Sequence, residues 1–496
     1  MSEINKYYKK AQEYSNAGKL DLAIEAYKKV LEIDKNNVKC LKELGELYEK
    51  KNDNINAIYY YKQMINIVPL NIKGIILNQI GVCNFKISQY EEAIKYFKKV
   101  LEIKNDIPDV YNNIGTCYIN MKQYKIAEVN LLISLKFRVD DNINIKLGNF
   151  YFYIKKYEKS IYHYRQVSNL KENSEVLYNL CFPYLALKNV KIGYELYEQR
   201  LVKNNINAQT GLQERVQIPY IPYWQGHDNI NNLLIIYEQG IGDNIQYYKY
   251  IILLTKLKPQ MKITYLCKDI VAHLFIHHEN ENINFITNIN VTKNDNQQHY
   301  DGKIYIMSLP FILKIEKFMK NTENYIKVDE NKLIYWKNKL ENNPPKKLNV
   351  GFIYNGLLSS FIEKNIPLQE FKILADLDIN LICLHKLKDI DGDLKNITFK
   401  DKLITYDIDI EKPFVDTIAI LKNIDLLITI DTSIVHLAGV LNVKTLLLLG
   451  YGSDWRWFDN NEKVWYESVD IIRMDENKEL KCLLPQVRDI LLNMIK

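Results

Sequence analysis

The first two hundred residues of the chain repeat themselves. Ala11, Gly45, Gly81, Gly115, Gly148 and Cys181 stand 34, 36, 34, 33 and 33 residues apart. Twelve residues after each come Ala23, Ala57, Ala93, Ala127, Ser160 and Gly193, and four further on Tyr27, Tyr61, Phe97, Leu131, Tyr164 and Tyr197. A period of this length belongs to a supersecondary unit that cannot bury its apolar face alone and must stack on its neighbours. Two small positions and one bulky one fit two helices that cross closely with a knob beside the crossing. The constraint is strong, because such a segment folds as an elongated array and cannot close around a single core.

This pattern resembles the tetratricopeptide repeat, and Gln89-Tyr90-Glu91-Glu92-Ala93-Ile94-Lys95-Tyr96-Phe97 carries it well. The resemblance implies an α-solenoid, a tetratricopeptide superhelix of about six repeats over residues 1–203, whose concave face takes a protein or peptide. A spacer or oligomerisation arm is the alternative. Only the second repeat ends in the expected proline, Pro69, and the sixth has Cys181 and Gly193 at its small positions, as suits a cap against the next domain.

Length and charge bound the rest. At roughly 100–200 residues per domain, 496 residues make about three domains. Lys and Arg number 66 against 60 Asp and Glu, a balance of +6, which is no nucleic-acid footprint because backbone binding concentrates cations on one face. Apolar content of 47% excludes a wholly disordered chain. The 37 tyrosines are in part repeat knobs and otherwise codon bias. Seven scattered cysteines without a C-x-x-C make neither a disulfide framework nor a zinc site, and read as buried thiols in a reducing compartment. Met1-Ser2-Glu3-Ile4-Asn5-Lys6 opens into a charged helical pattern with no apolar leader, and no run approaches 18 apolar residues. The expectation is a cytoplasmic protein with no transmembrane segment, any membrane contact being peripheral.

From 204 to 232 the helical period stops at Gly211, Pro219, Pro222 and Gly226, the marks of a linker, with Pro222-Tyr223-Trp224-Gln225-Gly226 expected to dock an aromatic against a lobe, a structural part before a catalytic one. Beyond it strands and helices alternate. Strand-like runs at Leu233–Tyr237, Ile263–Cys267, Ile283–Ile286 and Lys303–Met307 precede a hinge at Asn342-Asn343-Pro344-Pro345. Five more follow at Leu348–Tyr354, Leu381–Leu384, Leu403–Tyr406, Asp425–Ile430 and Thr445–Leu449. Strand–helix alternation predicts parallel sheets covered by helices. The reading is two Rossmann-like lobes, 233–343 and 344–496, the second closing with a C-terminal helix. Ligands of open α/β sheets sit at the carboxyl ends of the strands, so those ends carry the candidate residues.

Glu238-Gln239-Gly240-Ile241-Gly242-Asp243 follows the first strand. Gln239, Gly240 and Gly242 form the turn, and Asp243 reads equally as a helix cap or as a general base at the floor of a cleft. Asp431-Thr432-Ser433 follows Asp425–Ile430 and places a helix N-terminus at a strand end, a ready anion site, with His436 on its first turn. A satisfied structural histidine is the alternative there. Lys364, before the helix-starting Pro367 and after Tyr354-Asn355-Gly356, is either a phosphate-neutralising or a solvated lysine.

Asp431 to Gly450 resembles the D-T-[GS]-x-x-H-L-x-[AG] motif of heptosyltransferase-like glycosyltransferases (glycosyltransferase family 9-like). The whole chain is similar to bacterial proteins in which tetratricopeptide repeats precede such a domain, down to Tyr451-Gly452-Ser453-Asp454-Trp455-Arg456-Trp457. The resemblance implies a GT-B arrangement of the two lobes, inversion at the sugar and a nucleotide-sugar donor. It implies Asp243 as base and a donor site of Lys364, Gly356, Asp431, Thr432, Ser433 and His436. No metal is expected, since lysine and helix dipole supply the positive charge and no D-x-D stands at a strand end in the cleft. Ser433 stands where heptosyltransferases usually have Gly, and Tyr354 where Trp is commoner. Trp455, Arg456 and Trp457 are either an acceptor platform or packing. The repeats suggest a protein or surface-glycan acceptor, by analogy with O-GlcNAc transferase. A non-catalytic scaffold with a degenerate transferase domain is the rival, and a nucleotide-sugar epimerase a third reading that leaves the repeats unexplained.

Overall fold

The computed structural model describes residues 3–202, 221–227, 230–287, 300–356, 365–476 and 478–496. Lys364 and most of the linker lie outside the described residues. The chain forms two compact units, Met1–Leu170 and Lys171–Lys496.

The first unit is five helical pairs: α1 Glu3–Asn16 with α2 Leu20–Ile33, α3 Val38–Lys50 with α4 Asn54–Met64, α5 Leu70–Lys86 with α6 Tyr90–Ile103, α7 Pro108–Asn120 with α8 Tyr124–Phe137, and α9 Asp141–Tyr153 with α10 Tyr157–Arg165. The small residues work as their spacing predicts. A Cβ added at Gly45 would stand 2.3 Å from the Tyr61 ring, at Gly81 2.5 Å from Phe97, at Gly148 2.6 Å from Tyr164. The turn inside each pair passes through one left-handed residue: Gly18, Asn52, Ser88, Lys122 and Lys155, with φ between 57° and 72°. The core is a succession of apolar clusters, from Ala11 to Cys83, from Leu77 to Cys117 and from Tyr124 to Ile154. That succession is what a quasi-one-dimensional array builds in place of a single core.

The sixth pair, α11 Ser174–Ala186 and α12 Val190–Tyr197, belongs to the second unit. The boundary between compact units therefore falls one repeat earlier than the expected residue 203. The physical reason is the burial of Tyr194, Tyr197 and Arg200 against residues beyond the linker.

Next come β1 Asn232–Ile236, α13 Ile241–Leu257, β2 Lys262–Leu266, α14 Asp269–Phe275, β3 Ile283–Ile286, β4 Gly302–Tyr305, α15 Leu309–Ile312 and α16 Glu330–Glu341. The four strands form a parallel sheet in the order β3-β2-β1-β4. Trp224 docks as expected: it is buried, its N–H donates to the Lys303 carbonyl at 2.8 Å, and its Cβ lies against Gly302.

Then follow β5 Leu348–Phe352, β6 Ile379–Cys383, α17 Leu387–Leu394, β7 Leu403–Thr405, α18 Val415–Leu421, β8 Leu426–Ile430, α19 Ser433–Val440, β9 Thr445–Leu449, β10 Val469–Arg473 and α20 Leu484–Ile495. The second sheet is also parallel, in the order β10-β9-β8-β5-β6-β7. Counted within the sheet this is 3-2-1-4-5-6, the order of the dinucleotide-binding doubly wound fold. Val469–Arg473 is a strand that the sequence reading missed, and Pro367 opens a 3-10 helix, Leu368–Leu374, instead of an α-helix.

Two glycines of α5 separate helix propensity from packing. Gly74 has open space, the nearest atom to an added Cβ being Ile103 Cδ1 at 3.9 Å, whereas Gly81 abuts Phe97. Gly74→Ala is expected to stabilise the array by about 0.8 kcal/mol. Gly81→Val is expected to destabilise it by about 2 kcal/mol through overpacking. Chemical denaturation followed by helical circular dichroism checks both signs.

Candidate functional site

The site follows from topology. In the first sheet the strand order reverses beside β1, and in the second beside β5 and β8. The turns after β1 and β8 meet: an added Cβ at Gly242 would stand 2.8 Å from His436 Cδ2 and 3.3 Å from Ser433 Cα. Only a residue without a side chain lets α13 cross α19 at this distance.

The turn after β1 is tightly specified. Asn244 Nδ2 donates to the carbonyls of Glu238 at 2.9 Å and Gly240 at 2.6 Å, and Tyr265 donates its hydroxyl to Asn244 Oδ1. Gln239 takes φ of +60°, a conformation that costs a non-glycine residue energy and persists only where surroundings enforce it. Asp243 is the third residue of α13, and its two oxygens do different things. Oδ2 accepts the Gly240 N–H at 3.0 Å, the one half of a capping box that a glycine N-cap allows, and Oδ1 accepts Arg456 Nη2 at 2.6 Å. Asp243 thus caps α13 with one oxygen and pairs with Arg456 through the other.

The Asp243 side chain keeps 20% of its surface exposed. Burial pushes its carboxyl above the usual range, with the Asp454 and Glu238 carboxylates adding to the rise and the Arg456 guanidinium and Gly240 N–H opposing it. Arg456 is held in turn. Its Nη1 donates to Asp454 Oδ2 at 2.9 Å, and its carbonyl accepts Trp465 Nε1 at 2.7 Å. Arg473, at the end of β10, donates to the Trp457 and Phe458 carbonyls and to the Ser453 hydroxyl.

Across the crossing, Thr432 is the N-cap of α19, yet its side chain makes no capping hydrogen bond, and its Oγ1 is buried without a partner. Asp431 Oδ1 accepts Trp457 Nε1 at 3.0 Å. His436 is 6% exposed, its Nδ1 lies 3.0 Å from the Tyr466 hydroxyl, and its ring stacks on Trp457 at 5.6 Å. Burial, reinforced by the Arg456 and Lys249 cations, pushes its imidazole down to about 3, so it is neutral at physiological pH.

The structure therefore brings Gly242, in the turn that holds Gln239, Gly240 and Asp243, against Ser433 and His436. Gly356 lies just beyond β5, the neighbour of β8, and its N–H donates to Asn365 Oδ1 at 3.1 Å. Lys364 lies outside the described residues. Sequence reading missed Lys268, two residues past β2, whose Nζ donates to the Gln239 carbonyl at 3.1 Å. Burial pushes that amine down and the Asp243 carboxylate opposes the shift. Its position just past a strand was the available signal. Arg456, read as platform or packing, is the direct partner of Asp243. Among the described residues no group of His, Cys, Asp and Glu is placed to hold a metal ion, and no helix is long and apolar enough to cross a membrane.

Comparison with known proteins bears on the first unit. The family model "Tetratricopeptide repeat" matches residues 7–37 and 76–107. The first unit is a tetratricopeptide solenoid. Among curated proteins the chain is similar to "BBSome complex member BBS4" of Bos taurus, 25% identical over 229 residues, 45% of this chain and 40% of that protein. It is also similar to "Anaphase-promoting complex subunit CDC16" of Saccharomyces cerevisiae, 26% identical over 233 residues, 42% of this chain and 27% of that one. The chain spans less than half the length of these relatives. Among solved structures, the type IV pilus biogenesis factor PilW covers 42% of this chain and 98% of its own, at 20% identity and a TM-score of 0.35. A tetratricopeptide repeat protein from Parabacteroides merdae covers 41% and 81%, at 14% and 0.36.

The buried neutral histidine has a pH consequence. Its folded pKa of about 3 lies below the unfolded value of roughly 6.5, so the unfolded chain binds the extra proton between them and stability falls with acidification through that window. Between pH 7.5 and 5 the native chain is expected to lose about 2 kcal/mol that His436→Gln does not lose. Denaturation midpoints of both proteins at the two pH values measure the difference.

Proposed function

We propose that the chain is an inverting glycosyltransferase of the two-lobed GT-B kind, fed by a nucleotide sugar, whose tetratricopeptide scaffold recruits a protein acceptor or partner. The observation that carries this reading is the meeting at Gly242 of a carboxylate from one sheet's switch point with a helix N-terminus from the other's. Switch points are where doubly wound sheets take ligands.

In this reading the donor diphosphate lies on the α19 N-terminus, whose N–H groups the Thr432 side chain does not take. Lys364 and the Gly356 loop would complete the donor side, and no metal is required. Asp243 removes the proton of the acceptor hydroxyl. The acceptor oxygen forms its bond to the anomeric carbon from the face opposite the nucleotide, and the carbon–oxygen bond to the diphosphate breaks with its electron pair leaving on the nucleotide. Preorganised positive charge at that leaving group offsets what develops there. Arg456 enters because it occupies Asp243 Oδ1. A diphosphate that draws the guanidinium away leaves a partly buried carboxylate with a raised pKa, suited to accept a proton.

The ion pair also favours a second reading, a scaffold whose second unit has lost its chemistry, since a carboxylate engaged on both oxygens is not poised as it stands. Nucleotide release from UDP-, ADP- and GDP-sugars by the full chain separates the two. The transferase reading expects release with at least one donor, slowed by about 10²–10⁴ in Asp243→Asn with folding intact. Absence of binding and release with all three donors leaves the scaffold.

A further inference from the structure

Arg200 is a fully buried cation that the proposed chemistry does not use. It lies three residues past α12, in a short 3-10 turn, and every N–H of its guanidinium finds an acceptor. Nε donates to Glu238 Oε2 at 3.2 Å, and Nη2 to Glu238 Oε1 at 2.7 Å and the Ser308 hydroxyl at 2.7 Å. Nη1 donates to the Tyr197 carbonyl at 3.1 Å and to Glu198 Oε1 at 2.6 Å. Glu198 Oε2 accepts the Tyr223 hydroxyl at 3.1 Å, which ties in the segment beside β4.

Glu238 opens the turn after β1, and Ser308 lies just past β4. Arg200 thus clamps together the carboxyl ends of the two strands that flank the first sheet's switch point. The same helical pair reaches the next residue as well: the Tyr197 hydroxyl accepts Gln239 Nε2. Gln239 is the left-handed residue of the turn, and a strained residue stays in place only when its neighbours fix it. Higher up α12, the Tyr194 hydroxyl lies 3.1 Å from that of Tyr247 on α13. A cap needs apolar contact alone, whereas this element spends a buried charge and a bidentate fork on one turn.

We propose that the α11–α12 pair is a working part of the site, with Arg200 and Tyr197 as positioning residues that fix Glu238 and Gln239 and thereby aim Asp243. The assignment concerns the turn used in the transferase reading but does not need that reading to be correct.

The test uses the full chain. In Arg200→Met/Glu238→Met, apolar side chains of similar length replace the ion pair, an exchange that buried pairs often tolerate with little loss of stability. The expectation is a thermal midpoint near that of the native protein, with amide exchange over 239–244 faster by about tenfold and β6 unchanged as control. Where a nucleotide sugar turns over, kcat is expected to fall about tenfold or more with the donor KM little changed, since an interaction made only in the transition state is lost. Arg200→Lys, which keeps the charge but lacks the fork, is expected not to rescue either property. A retained midpoint with native exchange over 239–244 overturns the proposal, whether or not any donor is turned over. If the double variant does not fold, Tyr197→Phe decides by the same measurement: exchange at 239–241 faster by about fivefold, the worth of one hydrogen bond, supports the proposal, and unchanged exchange overturns it.

Discussion

The second unit depends on a crossing that one glycine permits. At Gly242 helix α13 comes so near α19 that an added methyl would enter the ring of His436. Everything assembled around it needs that proximity. Asp243 reaches Arg456 because the two strand-end turns come this close, and next to Arg456 stands Trp457, which stacks on His436 and donates to Asp431. The following helices could pack at a larger separation with ordinary side chains between them. The site could not.

Charge is arranged around the crossing in a way that stability alone does not explain. Arg456 and Lys249 are largely withdrawn from water, and the burial that pushes Lys249 down to about 7 also holds His436 neutral. Taking a guanidinium and a carboxylate out of water costs several kcal/mol per ion, and apolar residues of similar volume often serve as well. A structure that keeps Asp243, Asp454 and Arg456 together keeps them at some cost to stability. The groups are poised between opposing influences, burial raising the Asp243 carboxyl and the guanidinium lowering it. Arrangements of that kind concentrate where a proton or an anion is handled.

What the sequence disclosed and what it hid divide along physical lines. The repeats were legible because each small residue answers a bulky one sixteen positions later, and contacts such as Gly45 to Tyr61 are local in sequence. The parallel strands were legible as apolar runs, since strands covered on both faces are apolar throughout. Val469–Arg473 escaped because it is an edge strand with Asp470 and Arg473 partly exposed, so its pattern is weak. The left-handed turns at Asn52, Ser88, Lys122 and Lys155 carry no glycine to announce them. Asp243 could be singled out from its turn, but its partner Arg456 lies 213 residues away, and nothing local marks such a pairing. The same holds for Arg200 and Glu238, each unremarkable in its own neighbourhood.

The sixth helical pair shows how a repeat changes role while keeping its pattern. Its small and bulky positions, Cys181, Gly193 and Tyr197, match those of the other five, so periodicity assigns it to the array. In the preceding repeats the bulky position fills the space beside a small residue, and where it is a tyrosine its hydroxyl stays within the same helical pair, Tyr61 donating to Glu49 and Tyr164 to Asn149. At Tyr197 the ring also lies 4.5 Å from the Arg200 guanidinium, and the hydroxyl serves Gln239. A repeat at the end of an array has one face with no further repeat to cover it, and that face must meet either water or another domain. Here it meets a turn that holds a left-handed glutamine and opens on a buried glutamate, and the covering face supplies a hydroxyl and a guanidinium in matching positions. An apolar cover would have taken the guanidinium fork from the buried Glu238 carboxylate, so the pair and the turn are specified together, and the compact unit that contains the candidate site begins at Lys171 instead of at the linker.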